Sequence, residues 1–339
     1  MSPAGIDLRS DTVTKPTPEM RRAMAEAEVG DDVLDGDPTT RRLEQRTAEL
    51  LGMDDALFFP SGTQANQTGI ALCTRPGTEL VVEANAHLVT YEMAGVAALS
   101  GVQIRPVVTP DGLLTARLVQ GALRTAPRQS AVAVENSHNA SGGRVLPPAE
   151  MAAIVAVAGA AGLKLHLDGA RLWNAATALQ VSPAQLVLGV TTVMVSYSKG
   201  LGCPVGSCLA FASRHRAEAW EIRKRLGGGM RQSGVLAAAG LYALEHHLPG
   251  IAKDHEHARL LAERLADCRA VRVEMPETNI VMIDLVRDED TADAVIPRLG
   301  AAGLHVASYG TKRMRAAVHR DVGRAEMERA AALVRQVLQ

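Results

Sequence analysis

The strongest constraint on the fold is an alternation between residues 57 and 212. Short strand-like runs at 57–60, 80–83, 103–107, 131–135, 163–168, 192–197 and 207–212 are separated by stretches of helical character. Most of these runs are apolar at nearly every position, so both of their faces must be covered, which a parallel sheet clad by helices on either side achieves. The expected fold class is α/β: a large domain with a mostly parallel seven-stranded sheet, followed by a small C-terminal α+β domain. Hydrophobic residues make up 47% of the chain but aromatic ones only 3%, so Ala, Val and Leu must fill the core.

Two of the strand ends carry chemistry. One run delivers Ser198-Lys199-Gly200-Leu201-Gly202, and another ends on Asp168 before Gly169-Ala170-Arg171. Burial strips an ammonium of its hydration, lowers its pKa and makes it a nucleophilic amine. A strand ending in Ser-Lys-Gly is, on its own, more often a solvated turn. The acid at the end of a second strand changes that balance. Pyridoxal phosphate (PLP) needs a lysine to hold its aldehyde and a carboxylate to keep its ring nitrogen protonated, and one sheet edge would present both.

Other segments add to this edge. Ser61-Gly62-Thr63 opens a helix, whose exposed N–H groups suit a phosphate, although an ordinary N-cap has the same sequence. His87 lies in a loop where α/β sites are usually assembled, and Glu135-Asn136-Ser137-His138-Asn139 ends the neighbouring strand. Gly227-Gly228-Gly229 gives a flexible backbone that delivers Arg231. Residues 1–14 read as an extended arm, with Pro16 and Pro18 opening a helix. The acidic stretch 30–38 reads as a solvated loop, and Thr39 or Thr40 as the cap of the helix after it. Three units are expected: an N-terminal arm and helix over 1–28, a large cofactor-binding domain over 29–249 and a small domain over 250–339, divided at Leu248-Pro249-Gly250.

A net charge of −1 and a pI near 6.8 give no reason to expect nucleic acid or a membrane as partner. Cys73, Cys203, Cys208 and Cys268 have no metal-ligand spacing, so no metal is expected and the thiols read as structural, Cys203 included. No apolar stretch approaches membrane-spanning length and no leader pattern opens the chain, which points to a cytoplasmic protein.

Nine segments, in order, resemble the low-specificity threonine aldolases of the β-eliminating lyase family, enzymes of PLP fold type I. They lie at 7–14, 29–33, 60–63, 86–87, 135–139, 167–172, 198–202, 227–232 and 315–319. The resemblance implies that Lys199 is the Schiff-base lysine, Asp168 the partner of the ring nitrogen and His87 the imidazole stacked on the ring. It implies that Gly62 and Thr63 hold the phosphate, with Arg231 reaching in from a neighbouring subunit. Ser10, Arg171 and Arg315 would bind the substrate carboxylate, and Arg171 would also border the cofactor. The implied reaction is retro-aldol cleavage of a β-hydroxy-α-amino acid (threonine, allo-threonine or a bulkier, phenylserine-like substrate) to glycine and an aldehyde. The implied assembly is a homodimer or homotetramer with shared active sites.

The chain departs from the family pattern at Leu34, where a tyrosine is usual, and at Val89 and Thr90, where a Tyr-Arg pair is common. On an ungapped count Thr125 occupies the place of a histidine that the resemblance puts in a loop reaching the neighbouring active site, and Val318 occupies that of a threonine. With Leu34 and Thr125 taken as substrate-facing, these changes lead to the expectation of a bulkier, less polar substrate side chain. The alternatives are a different PLP reaction (β-elimination, racemisation, decarboxylation or transamination) and a catalytically silent paralogue.

Overall fold

The computed structural model describes residues 5–339. Its largest sheet has seven strands: β1 (Asp55–Phe59), β2 (Glu79–Glu83), β3 (Gln103–Val107), β4 (Gln129–Glu135), β5 (Lys164–Gly169), β6 (Thr192–Ser196) and β7 (Ser207–Phe211). Their spatial order is β1-β7-β6-β5-β4-β2-β3. Only β7 runs against its neighbours. Strands β1, β2, β6 and β7 are buried almost throughout, as continuous apolar runs require when helices cover both faces. Asp168 pairs with Met194 in the β5–β6 register, so the chain leaves both strands at one edge, β5 just after Asp168 and β6 just before Lys199.

A second sheet is antiparallel, in the order Ala307–Ser308, Arg313–Ala317, Ile280–Leu285, Val271–Val273. The helices Ile251–Leu265, Ala292–Ala301 and Arg324–Val337 pack with it around a separate core that includes Leu261, Ile283, Leu299 and Met327. The α+β character expected of this region does not extend to naming the strands Ala307–Ser308 and Arg313–Ala317, which the sequence pattern does not show. The N-terminal arm is tied to this region, because Ile6–Asp7 pairs in parallel with Leu304–His305. The first four residues of the arm lie outside the described residues.

The acidic loop requires a correction. Helix Pro38–Leu51 is capped by Asp37, whose Oδ1 accepts from the Thr40 N–H at 2.8 Å while Oδ2 accepts from the Gly30 N–H at 3.0 Å. Asp37 is fully buried, so this end of the loop is structural and not merely solvated. Pro38 at the first helical position leaves Asp37 as the natural cap, and the Thr39 hydroxyl instead donates to Glu28 O at 2.6 Å. Cys73, Cys203 and Cys208 are buried free thiols. Burial pushes Cys73 up to about 11 and Cys208 up to about 12, which leaves them unreactive at neutral pH.

Candidate active site

Lys199 follows β6 in a loop fixed from two sides. Tyr197 donates its N–H to Gly206 O at 3.0 Å, and the Thr14 hydroxyl donates to Lys199 O at 2.8 Å. The polar N-terminal arm is therefore a structural part of the lysine loop. Ser10, His87, Arg171, Lys199 and Arg315 line one cavity of about 330 Å³, together with Asn139, Tyr91 and Tyr309. Five residues scattered between positions 10 and 315 thus converge on one cavity.

The charges in this cavity are ordered. Arg171 grips Asp11 with two hydrogen bonds of 2.7 Å and donates a third, of 3.1 Å, to Asn139 Oδ1. Burial opposes the Asp11 carboxylate, but the Arg171 guanidinium more than offsets it and holds its pKa well below the usual range. Arg315 donates to Asn139 Oδ1 at 2.7 Å, Tyr309 Oη at 2.9 Å and Arg9 O at 3.1 Å. All three acceptors are neutral, the Arg315 Nε is buried without a partner among the described residues, and the guanidinium carbon lies 4.5 Å above the Tyr309 ring. Burial and the nearby Arg171 charge lower the Lys199 pKa, against the opposing pull of Asp11, Asp168 and Glu135. The cavity therefore holds an activated amine and a guanidinium that lacks an anion.

Beneath it, Asp168 accepts from Asn66 Nδ2 at 2.8 Å and from the Ala170 N–H at 3.0 Å. Asn66 Oδ1 meets His166 Nε2 at 3.1 Å, and His166 Nδ1 meets the Thr192 hydroxyl at 2.9 Å. Asn66 Nδ2 also donates to Glu92 Oε1 at 2.8 Å, so with both amide hydrogens given to carboxylates its oxygen must accept, and His166 carries its proton on Nε2. Burial lowers the His166 pKa to about 4, which keeps this ring neutral.

The residues present fit PLP. Ser61 caps helix Gly62–Cys73 by accepting from the Gln64 N–H at 3.2 Å, so the remaining N–H groups of that turn are free for a phosphate. A Cβ added to Gly62 would lie 3.4 Å from Met194 Cε and 3.4 Å from Ser207 Oγ. That Ser207 oxygen is buried with no hydrogen-bond partner among the described residues. A donor without a partner at a helix N-terminus, an acid below and a lysine at the mouth match the phosphate, ring nitrogen and aldehyde of one cofactor.

A family model described as beta-eliminating lyase matches residues 7–288. The chain belongs to the β-eliminating lyase family. Low-specificity L-threonine aldolase 1 of Arabidopsis thaliana is 40% identical over 331 residues, covering 94% of this chain and 92% of its own. The low specificity L-threonine aldolase of Escherichia coli strain K12 is 36% identical over 334 residues, with 96% and 97% covered. Among solved structures, a threonine aldolase from Leishmania major superposes with a TM-score of 0.84 at 20% identity, covering 98% of this chain and 100% of that one. A serine palmitoyltransferase from Sphingomonas wittichii does so with a TM-score of 0.78 at 18% identity, covering 98% and 87%. The shared fold is PLP fold type I.

Several residues expected at the site of this β-eliminating lyase family member lie elsewhere in the subunit. Leu34 is 75% exposed in the acidic loop and is absent from the Lys199 cavity. Thr125 lies in the turn between helix Ala116–Ala122 and β4, at the amino ends of the strands and so at the edge opposite Lys199. The loop there is too short to cross the sheet. Val89 packs in an apolar cluster with Leu88 and Ile104, and Val318 is buried in the small core. These departures therefore do not shape the wall of the pocket within one subunit, and the apolar-pocket expectation loses that basis. The Arg231 guanidinium is also outside the cavity, exposed and 3.6 Å from the Asp31 carboxylate. Gly62 and Thr63 form the helix end described above. Asp11, Asn66, Glu92, Asn139 and Tyr309 were not singled out from the sequence, although Asp11 and Asn139 fall inside the family-like segments and Glu92 follows His87 by five residues.

Proposed function

We infer that the chain is a PLP-dependent carbon–carbon lyase that cleaves a β-hydroxy-α-amino acid to glycine and an aldehyde. The observation that carries this reading is Arg315, a guanidinium with neutral acceptors only and a buried Nε without a partner, in the same cavity as the activated Lys199 amine. Guanidinium forks suit carboxylates, so the substrate α-carboxylate binds Arg315 and the Ser10 hydroxyl. Arg171 is already committed to Asp11 and orients the amide of Asn139 that Arg315 also uses. The bound cofactor supplies a sink for the electron pair left at Cα when the Cα–Cβ bond breaks. Asp168 keeps the ring-nitrogen proton in place, and Lys199 Nζ holds the cofactor and then exchanges a proton at Cα. His87 lies over the same space and accepts a proton from the β-hydroxyl.

The same reading assigns 29–249 as the cofactor-binding unit and 250–339 as the unit that brings Arg315. It assigns Arg231 to the phosphate of a neighbouring subunit in a homodimer or homotetramer; the exposed guanidinium on a glycine-rich loop supports that reach. No helix among the described residues is long and apolar enough to cross a membrane, and a cytoplasmic location is in keeping with the reaction. The test is product analysis of purified, PLP-loaded protein with threonine, allo-threonine and phenylserine. Glycine and the matching aldehyde in equal amounts support the reading; a 2-oxo acid with ammonia, or racemised substrate, overturns it.

A further inference from the structure

His87 opens the short helix His87–Thr90 after β2, and its backbone N–H donates to Glu135 Oε2 at 2.7 Å. Its ring lines the Lys199 cavity, with Nδ1 2.9 Å from Glu92 Oε1. Glu92 is buried and faces donors at both oxygens. Oε1 also accepts from Asn66 Nδ2 at 2.8 Å, and Oε2 accepts from Gln67 Nε2 at 2.7 Å. Asn66 and Gln67 belong to the helix Gly62–Cys73, and Asn66 Nδ2 bonds Asp168 as well. One His87 nitrogen and one oxygen each of Glu92 and Asp168 lie within 4.8 Å of one another. A carboxylate taken out of water costs several kcal/mol unless its partners are well placed, and here the partners are two amides of one helix and the His87 ring.

We propose that Glu92 is a positioning residue for the reaction assigned above, a reading on which this inference rests. It fixes the His87 proton on Nδ1 and leaves Nε2 as the lone-pair nitrogen that takes the β-hydroxyl proton of the substrate. An acceptor at Nδ1 dictates this tautomer, and among the described residues Nε2 has no hydrogen-bond partner. The step balances. The hydroxyl proton moves to Nε2, the oxygen's electron pair becomes the second C–O bond of the aldehyde, and the Cα–Cβ pair stays with the glycine fragment. Asn66 joins this dyad to Asp168, so the acid that serves the ring nitrogen and the acid that orients the base share one amide.

The groups facing His87 are Glu92, Asp168 at the end of β5, Glu135 at the end of β4, the Tyr91 ring with its centroid 5.4 Å away, and Lys199 and Arg171 across the cavity. Burial lowers the His87 pKa, but Glu92, Asp168 and Glu135 outweigh it and the net shift is upward.

The test compares wild type with Glu92→Gln and Glu92→Leu. Asn66 and His87 share Oε1, so the Gln oxygen takes that place and keeps both donors, while its NH2 takes the place of Oε2 and meets Gln67, whose buried side-chain oxygen has no partner among the described residues. Glu92→Gln therefore removes the charge and keeps the acceptor, whereas Glu92→Leu removes both. Imidazole proton–nitrogen correlation spectra of the cofactor-free protein should show neutral His87 protonated on Nδ1 in wild type and in Glu92→Gln, with a lower titration midpoint in Glu92→Gln, and should show that preference lost in Glu92→Leu. In the loaded enzyme, kcat should fall roughly 10- to 100-fold in Glu92→Leu with KM nearly unchanged, and Glu92→Gln should recover most of the loss with the acid limb of kcat/KM displaced to lower pH. Wild-type His87 protonated on Nε2 when neutral overturns the proposal without any variant having to fold. So does Glu92→Leu if its tautomer preference is lost while kcat and its pH profile stay put. Correct tautomers in a protein that yields no glycine would refute the assigned reaction and leave the Glu92–His87 pairing standing.

Discussion

Asp11→Asn removes one charge from the most enclosed ion pair of the site. Asp11 and Arg171 are both buried and meet through two hydrogen bonds of 2.7 Å, with Asn279 Nδ2 3.3 Å from the same carboxylate. The variant leaves a buried guanidinium without its counter-charge, a change that costs about 3–5 kcal/mol. For a chain of 339 residues, an unfolding entropy of about 2.1 cal/mol/K per residue gives about 0.7 kcal/mol/K, so the midpoint should fall by roughly 4–7 °C. The pH dependence has a definite sign. The folded pKa of Asp11 lies below its ordinary value of 3.8, so the unfolded chain takes up this proton first as pH falls. The stabilisation is complete above 3.8 and is lost as pH falls from there toward the folded value. The assay is thermal unfolding of cofactor-free wild type, Asp11→Asn and the double variant Asp11→Leu/Arg171→Met, followed from pH 7 to pH 3. The double variant should recover most of the loss, because no charge is then stranded. An Asp11→Asn midpoint within about 1 °C of wild type at pH 7 would refute the reasoning, since a buried guanidinium cannot lose its partner at no cost.

His166 adds a second acid-sensitive contribution. Its folded pKa of about 4 lies below the ordinary 6.5, so the unfolded chain binds the extra proton between these values and stability falls as pH drops through that window, by roughly 3 kcal/mol in total. His166→Gln should flatten the denaturant-midpoint profile there; an unchanged slope would remove His166 as its source. Arg315→Met should raise KM for the amino acid roughly 10- to 100-fold with a smaller change in kcat, measured by initial rates of glycine formation. Arg231→Ala should weaken PLP retention on dialysis more than it alters the preference among substrates, and sedimentation velocity should show wild type to be at least dimeric; a fully active monomer would contradict the shared-site arrangement.

What could be read from the sequence divides along physical lines. The sheet was legible because strands covered on both faces must be apolar throughout, and Val193-Met194-Val195 could hardly be placed elsewhere. Lys199 and Asp168 were legible because each is a costly group at the end of such a strand. Strand Arg313–Ala317 was missed because its arginines mask the pattern: Arg313 pairs with Asp284, and Arg315 turns into the cavity. Asp11 looked like one more polar residue of a loose arm, and only the approach of Arg171, 160 positions away in sequence, makes it a buried partner. Glu92, Asn66 and Tyr309 have no local signature, since their meaning lies in what long-range packing brings to them. Thr125, placed by an ungapped count in a loop expected to reach a neighbouring active site, lies at the edge of the sheet away from Lys199 of its own subunit.

The most direct test of the central claim is to load the purified protein with PLP, reduce it with borohydride and map the modified peptide. The account predicts a single stable adduct on Lys199, lost in Lys199→Ala, a variant that should still fold because the lysine side chain faces the cavity. The contradicting result is an adduct of equal yield in Lys199→Ala, or one mapped to Lys164, whose amine donates to Leu72 O at 2.6 Å at the start of β5, the edge of the sheet away from Asp168.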